Sequence, residues 1–130
     1  YAETERPTWI DIQGFGDEAR LREIGEIFGI HALALADAVN VPQRAKAQRY
    51  PDHLLIVIHA PHPSFEADER LPQVAILLAR DYVVTFQERP FGFFEEVHRR
   101  IRNPNGLLRR SGAAYLTYAL VDALIDQYYP

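Results

Sequence analysis

Apolar and polar positions first alternate over residues 8–13, TWIDIQ, which predicts a short strand ending at Gly14. The spacing then changes. Leu21, Ile24, Ile27 and Phe28 recur at three- and four-residue intervals behind Ala19, interleaved with Arg and Glu, predicting an amphipathic helix that Asp17 starts and Gly29 stops. A second helix over residues 31–40 follows at once and ends ahead of Pro42, whose ring disfavours helix at the residue before it. The five consecutive apolar residues Leu54 to Ile58 are too few to span a membrane and predict a central strand. PHPSFEADERLP is a polar connection carrying prolines. QVAILLA and YVVTFQE flank Arg80 and Asp81 closely enough to predict a hairpin. Phe91 to Asn103 reads as a helix ended by Pro104, Asn105 and Gly106, and a last helix runs from Ser111, a good N-cap, to Tyr129. Strand, two helices, strands, then two helices predict an α+β domain: a three-layer αβα arrangement with a mixed, largely antiparallel sheet under helices.

In HALALADAVNVPQRAK, residues 31–46, which opens with the second helix, Asp37 is the one acid. At about 100° per residue, Ala32, Leu35 and Val39 share a stripe suited to a core, and Asp37 points almost diametrically away. Leu33, Ala34 and Ala36 make that outer face unusually apolar. Two readings stand: a surface seeking a partner, or a solvated acid that keeps a sticky helix soluble.

With 130 residues, 48% hydrophobic and 12% aromatic, the chain can bury a core of its own and fits one domain, 1–130. Fourteen basic against 18 acidic residues give a net charge of −4, no general footprint for nucleic acid or an anionic membrane. Lys46 is the sole lysine; every other basic residue is Arg. The absence of cysteine excludes disulfides, thiolate metal sites and Cys nucleophiles together. No apolar run reaches 18 residues, since Asp122 interrupts YLTYALVDALI, and there is no signal-peptide pattern. The chain lacks Met, opens at Tyr1 and closes at Pro130 straight after a helical run, and so reads as a soluble piece of a longer protein.

Catalytic chemistry finds little material. The only serines are Ser64, in the polar connection, and Ser111, placed as a cap, and neither lies in a nucleophile elbow. Gly14 and Gly16 lack the remaining elements of a phosphate cradle. His59 and His62 could share a metal, but no third ligand stands near them in the sequence. Arg99, Arg100, Arg102, Arg109 and Arg110 gather around a turn, where complementing helix dipoles and pairing with Glu95 and Glu96 explain them better than nucleic acid does. Asp122 and Asp126, four apart, share a helix face; this is a solvated face or a pair of oxygen ligands of the kind Mg²⁺ or Ca²⁺ accepts.

Taken in order, PTWIDIQG, FGIHALALADAVNVPQRAKAQRY, FQERPFGFFEEVHRRIRN and SGAAYLTYALVDALIDQYYP resemble the cytoplasmic domain of the CorA family of magnesium transporters. The pattern FGIHxLxLxDxxNVPQRxK is long and specific. The resemblance implies part of a homopentameric Mg²⁺ and Co²⁺ channel, a non-enzymatic domain on the cytoplasmic face of the inner membrane. It further implies that earlier strands, the stalk helix, the two transmembrane helices and a Gly-Met-Asn selectivity motif lie outside these residues. By the same resemblance Asp37 matches an acid that binds a weakly held regulatory Mg²⁺ between neighbouring protomers. Asp122 matches a second acid, whose usual partner is replaced here by Ala36. The related zinc-transporting branch is the alternative, as is a free-standing soluble binding module of the same fold. The NVPQR segment and Asp37 lean toward the magnesium branch.

Overall fold

The computed structural model describes residues 8–61, 71–102 and 112–128. Its five strands are β1 (Thr8–Gln13), β2 (Lys46–Tyr50), β3 (His53–His59), β4 (Gln73–Leu78) and β5 (Tyr82–Gln87). They form one sheet in the order β1-β5-β4-β3-β2. β1 runs parallel to β5, and every other pairing is antiparallel. The mixed sheet and the predicted β4–β5 hairpin are therefore present. The run Leu54 to Ile58 lies in β3, an interior strand as expected of a segment covered on both faces, although β4 holds the middle position.

Strand alternation divides the core in two. Leu55, Val57, Ala75, Leu77, Val84 and Phe86 point to one face and pack with Leu21, Ile30, Ala34 and Ala38 from α1 (Glu18–Phe28), α2 (Ala32–Ala38) and the link between them. Val74, Ile76 and Val83 point to the other, against Phe94 and Val97 at α3 (Glu95–Arg102) and Leu116, Leu120 and Leu124 of α4 (Ala113–Ile125). This is the three-layer αβα arrangement of an α+β domain.

Local chemistry explains most boundaries. Asp17 caps α1 by accepting from the Arg20 backbone N–H at 3.0 Å. Gly29 ends that helix in the left-handed region, φ 68°, which a side chain would disfavour. α3 is shorter than its sequence pattern, because Phe91, Phe93 and Phe94 plug the core before the helix begins. Its termination signals at 104–106 lie outside the described residues. Gly112, with no side-chain bond, holds the N-cap of α4; Ser111, expected there, is also outside the described residues.

Two expectations need correction. β2 has no counterpart in the predicted elements: the middle three of its five positions are exposed, so an edge strand this polar carries no periodic signal. The stripe Ala32, Leu35 and Val39 is not the buried seam of α2. That seam is Ala34 and Ala38, at 0% and 1% exposure, while Ala32 is exposed and Leu35 and Val39 are half-buried. Alanine lets a short helix approach the sheet closely, and its larger side chains then splay along the flanks.

Candidate functional site

The segment from Phe28 to Tyr50 forms a corner that fixes Asp37. Nδ1 of His31 caps α2 by accepting from the Leu33 backbone N–H at 3.1 Å. At the other end Gln43 donates its amide to the carbonyls of Asp37 (2.7 Å) and Asn40 (3.0 Å), satisfying acceptors the helix leaves open. Buried Gln73 of β4 locks the link, donating to the Asn40 carbonyl at 2.9 Å and accepting from the Gln43 backbone N–H at 2.9 Å. Val41–Pro42 is a cis peptide within the same link. The long motif is thus first a structural corner, and Asp37 is held by both ends of it.

β2 supplies the partners. Lys46 and Tyr50 are four residues apart on a strand and share the face toward α2. The Lys46 ammonium donates to both carboxylate oxygens of Asp37, at 2.9 Å to Oδ1 and 2.7 Å to Oδ2. The Tyr50 hydroxyl donates to Oδ2 at 2.7 Å. The Asp37 side chain retains 16% exposure and that of Lys46 33%. Burial pushes the Asp37 carboxyl up, but the Lys46 ammonium, by hydrogen bond and charge, together with the Tyr50 hydroxyl and Gln43, outweighs burial and holds it below the usual carboxylate value. The hydrogen bond to Asp37, with burial and the nearby negative charge, raises the Tyr50 phenol.

Asp37 therefore does not point diametrically away from the core. With the seam on Ala34 and Ala38, it falls on the flank toward β2, opposite the flank of Leu35. The expected apolar outer face is real at Leu33, 67% exposed, and Ala36, also exposed. Sequence reasoning missed Lys46, Tyr50 and Gln43. Two signals pointed to them: the sole lysine lies inside the motif, and Lys46 and Tyr50 are spaced to share one strand face.

Asp122 is exposed and borders a small cavity of about 120 Å³ between α3 and α4, with Glu96, Arg100 and Asp126. It lies in the helical layer on the opposite side of the sheet from Asp37, so one chain does not bring the two acids together. Among the described residues no group of three or more His, Asp or Glu could hold a metal. The one carboxylate held at the corner, Asp37, pairs with the Lys46 ammonium through both of its oxygens.

The remaining candidates fall into simpler roles. The His59 carbonyl accepts from the Tyr128 hydroxyl at 2.7 Å; His62 and Ser64 lie outside the described residues. Arg99 pairs with Glu96 on α3, whose acids open and arginines close the helix, as expected of dipole complementation. Arg109 and Arg110 are not among the described residues. A second polar cluster, which the sequence did not announce, stitches the parallel strands. Asp11 accepts from Thr85 Oγ1 at 2.7 Å and from Gln87 Nε2 at 2.9 Å, while Trp9 donates to Thr85 at 3.0 Å and stacks on His98.

Comparison with known proteins places this geometry. Residues 4–130 match the family model described as CorA-like Mg²⁺ transporter protein. The cobalt/magnesium transport protein CorA of Thermotoga maritima is 37% identical over 134 residues, covering 99% of this chain and 37% of that protein. The magnesium transporter ALR1 of Saccharomyces cerevisiae is 28% identical, covering 95% of this chain and 15% of that protein. The chain thus spans well under half the length of these relatives. Among solved structures, the soluble domain of CorA from Methanocaldococcus jannaschii superposes with a TM-score of 0.74 at 20% identity, covering 92% of this chain and 47% of that one. The ZntB cytoplasmic domain from Vibrio parahaemolyticus gives 0.70 at 11%, covering 94% and 49%.

Proposed function

The chain belongs to the CorA-like Mg²⁺ transporter family, and from that premise we propose that it is the cation-sensing, gating part of a divalent-metal transporter, with Asp37 as the sensing ligand. The single observation that carries this reading is the Asp37 carboxylate, rigidly presented at a motif corner and already clasping a cation through both oxygens. The whole transporter carries Mg²⁺ and Co²⁺ across the inner membrane as a homopentamer, with this domain on the cytoplasmic face and no enzymatic role. Its relatedness to the Thermotoga maritima protein supports that cargo.

Mg²⁺ is hard and gives up its waters reluctantly, so one carboxylate from each of two protomers holds it weakly, as a sensor of cellular concentrations requires. An ion held there offsets the repulsion between facing acids and favours the closed population. Asp37 binds, while His31, Gln43 and Gln73 fix the helix that presents it. Asp122 is a weaker second ligand, because the acid that the resemblance pairs with it is replaced by Ala36 and because Arg100 lines the same small cavity. A zinc cargo is the second reading, supported by the fold likeness to the ZntB domain. Flux of Zn²⁺ against Mg²⁺ through the full protein separates the two.

The test is current through the intact transporter at stepped internal Mg²⁺. Asp37→Asn is expected to leave ion selectivity alone and to raise, by tenfold or so, the Mg²⁺ needed for closure, consistent with losing one side of a two-sided contact. A variant that closes at the wild-type Mg²⁺ concentration removes Asp37 from the sensing site.

A further inference from the structure

We propose that Lys46 is a built-in competitor for Asp37 and sets the divalent-ion concentration at which the sensing site fills, an inference that rests on the reading of Asp37 as the ion's ligand. The ammonium contacts Oδ1 at 2.9 Å and Oδ2 at 2.7 Å, so it occupies the edge of the carboxylate that a metal ion would approach. Inner-sphere Mg²⁺ sits about 2.1 Å from its oxygen, which would leave two positive centres a few ångströms apart around one carboxylate. The two cations exclude one another, and filling the site requires Lys46 to leave.

The surroundings allow that exchange without moving the acid. Lys46 is one-third exposed, stands on the edge strand β2, and makes its only ion pair among the described residues with Asp37. Its flexible stem can swing into water. Asp37 stays in place because Gln43 holds its carbonyl at 2.7 Å and Tyr50, whose ring packs against the core under α2, keeps its hydroxyl on Oδ2. Tyr50 is neutral, so it does not repel a metal on Oδ1. Lys46 thus acts on the ion through Asp37: occupancy by the ammonium lowers the apparent affinity by the fraction of time the carboxylate is free. The substitution series follows from the geometry. Methionine keeps the stem and removes the charge, whereas arginine offers a planar fork that grips both oxygens more firmly.

The experiment is chymotrypsin protection of the intact, purified transporter as MgCl₂ is titrated, for wild type, Lys46→Met, Lys46→Arg and Asp37→Asn. Protection reports the ion-stabilised form without depending on transport. The expected midpoints are about tenfold lower for Lys46→Met and higher than wild type for Lys46→Arg. Either variant at the wild-type midpoint, or a shift in the opposite sense, overturns the role of Lys46. If Lys46→Met does not fold, Lys46→Arg alone decides, since its charge and reach preserve the ion pair. Asp37→Asn separates the two levels: a flattened curve there with no shift at residue 46 sinks only the competitor, while a wild-type curve for Asp37→Asn sinks the sensing reading itself.

Discussion

At Asp37 the balance is between burial, which disfavours the carboxylate, and three donors that favour it, and the donors win. Because the folded pKa lies below the unfolded one, the contact contributes fully above about pH 4 and is lost as pH falls through the folded value. The Tyr50 phenol is shifted the other way, so its contribution is complete below about pH 10 and is lost as pH rises through its folded pKa. Urea melts across pH should therefore show Asp37→Asn flattening both the acid and the alkaline shoulders of stability, at a cost near neutrality of about 1 kcal/mol. Retained shoulders in the variant would mean that other groups carry them. That Asp37 is special was legible from its isolation in an apolar helix. Its direction was not, because Ala32, Leu35 and Val39 make as good an apolar stripe by spacing and size as the two small alanines, Ala34 and Ala38, that form the seam.

At the scale of elements, the motif's capping residues do more than its apolar ones. His31, Gln43 and Gln73 close both ends of a helix only seven residues long, which on propensity alone would be marginal. Long apolar or strictly periodic segments, such as β3 and α1, were legible in the sequence. β2 was not, since its place at the sheet edge needs only Lys46 and Tyr50 on the covered face. The close approach of α2 makes Ala38→Leu an overpacking change, expected to destabilise by about 1 to 3 kcal/mol in denaturant melts. A neutral result would show that α2 has room to lift from the sheet. Asp11, which accepts from Thr85, Gln87 and Gln13, ties β1 to its parallel neighbour β5, so Asp11→Ala should cost about 2 to 3 kcal/mol by stranding those donors. A loss below that of Asp37→Asn would contradict its structural role.

Across the whole molecule, the sheet separates two chemistries. One helical layer presents Asp37 beside the exposed Leu33 and Ala36; the other carries Asp122 beside Glu96 and Arg100. The αβα layering was legible from element order, but the separation of the acids was not, because it depends on which face of the sheet each helix covers. Among the described residues one chain groups no three acids, so the proposed ion site takes its remaining ligands from water or an adjacent protomer, with Asp37 as the first. The direct measurement is anomalous scattering from crystals of the intact transporter grown in Co²⁺. The prediction is a Co²⁺ ion against Asp37, completed by an acid of an adjacent protomer, with the Lys46 ammonium turned away. Asp37 still clasped by Lys46 and Tyr50 in every protomer, with Co²⁺ bound only elsewhere, would contradict it.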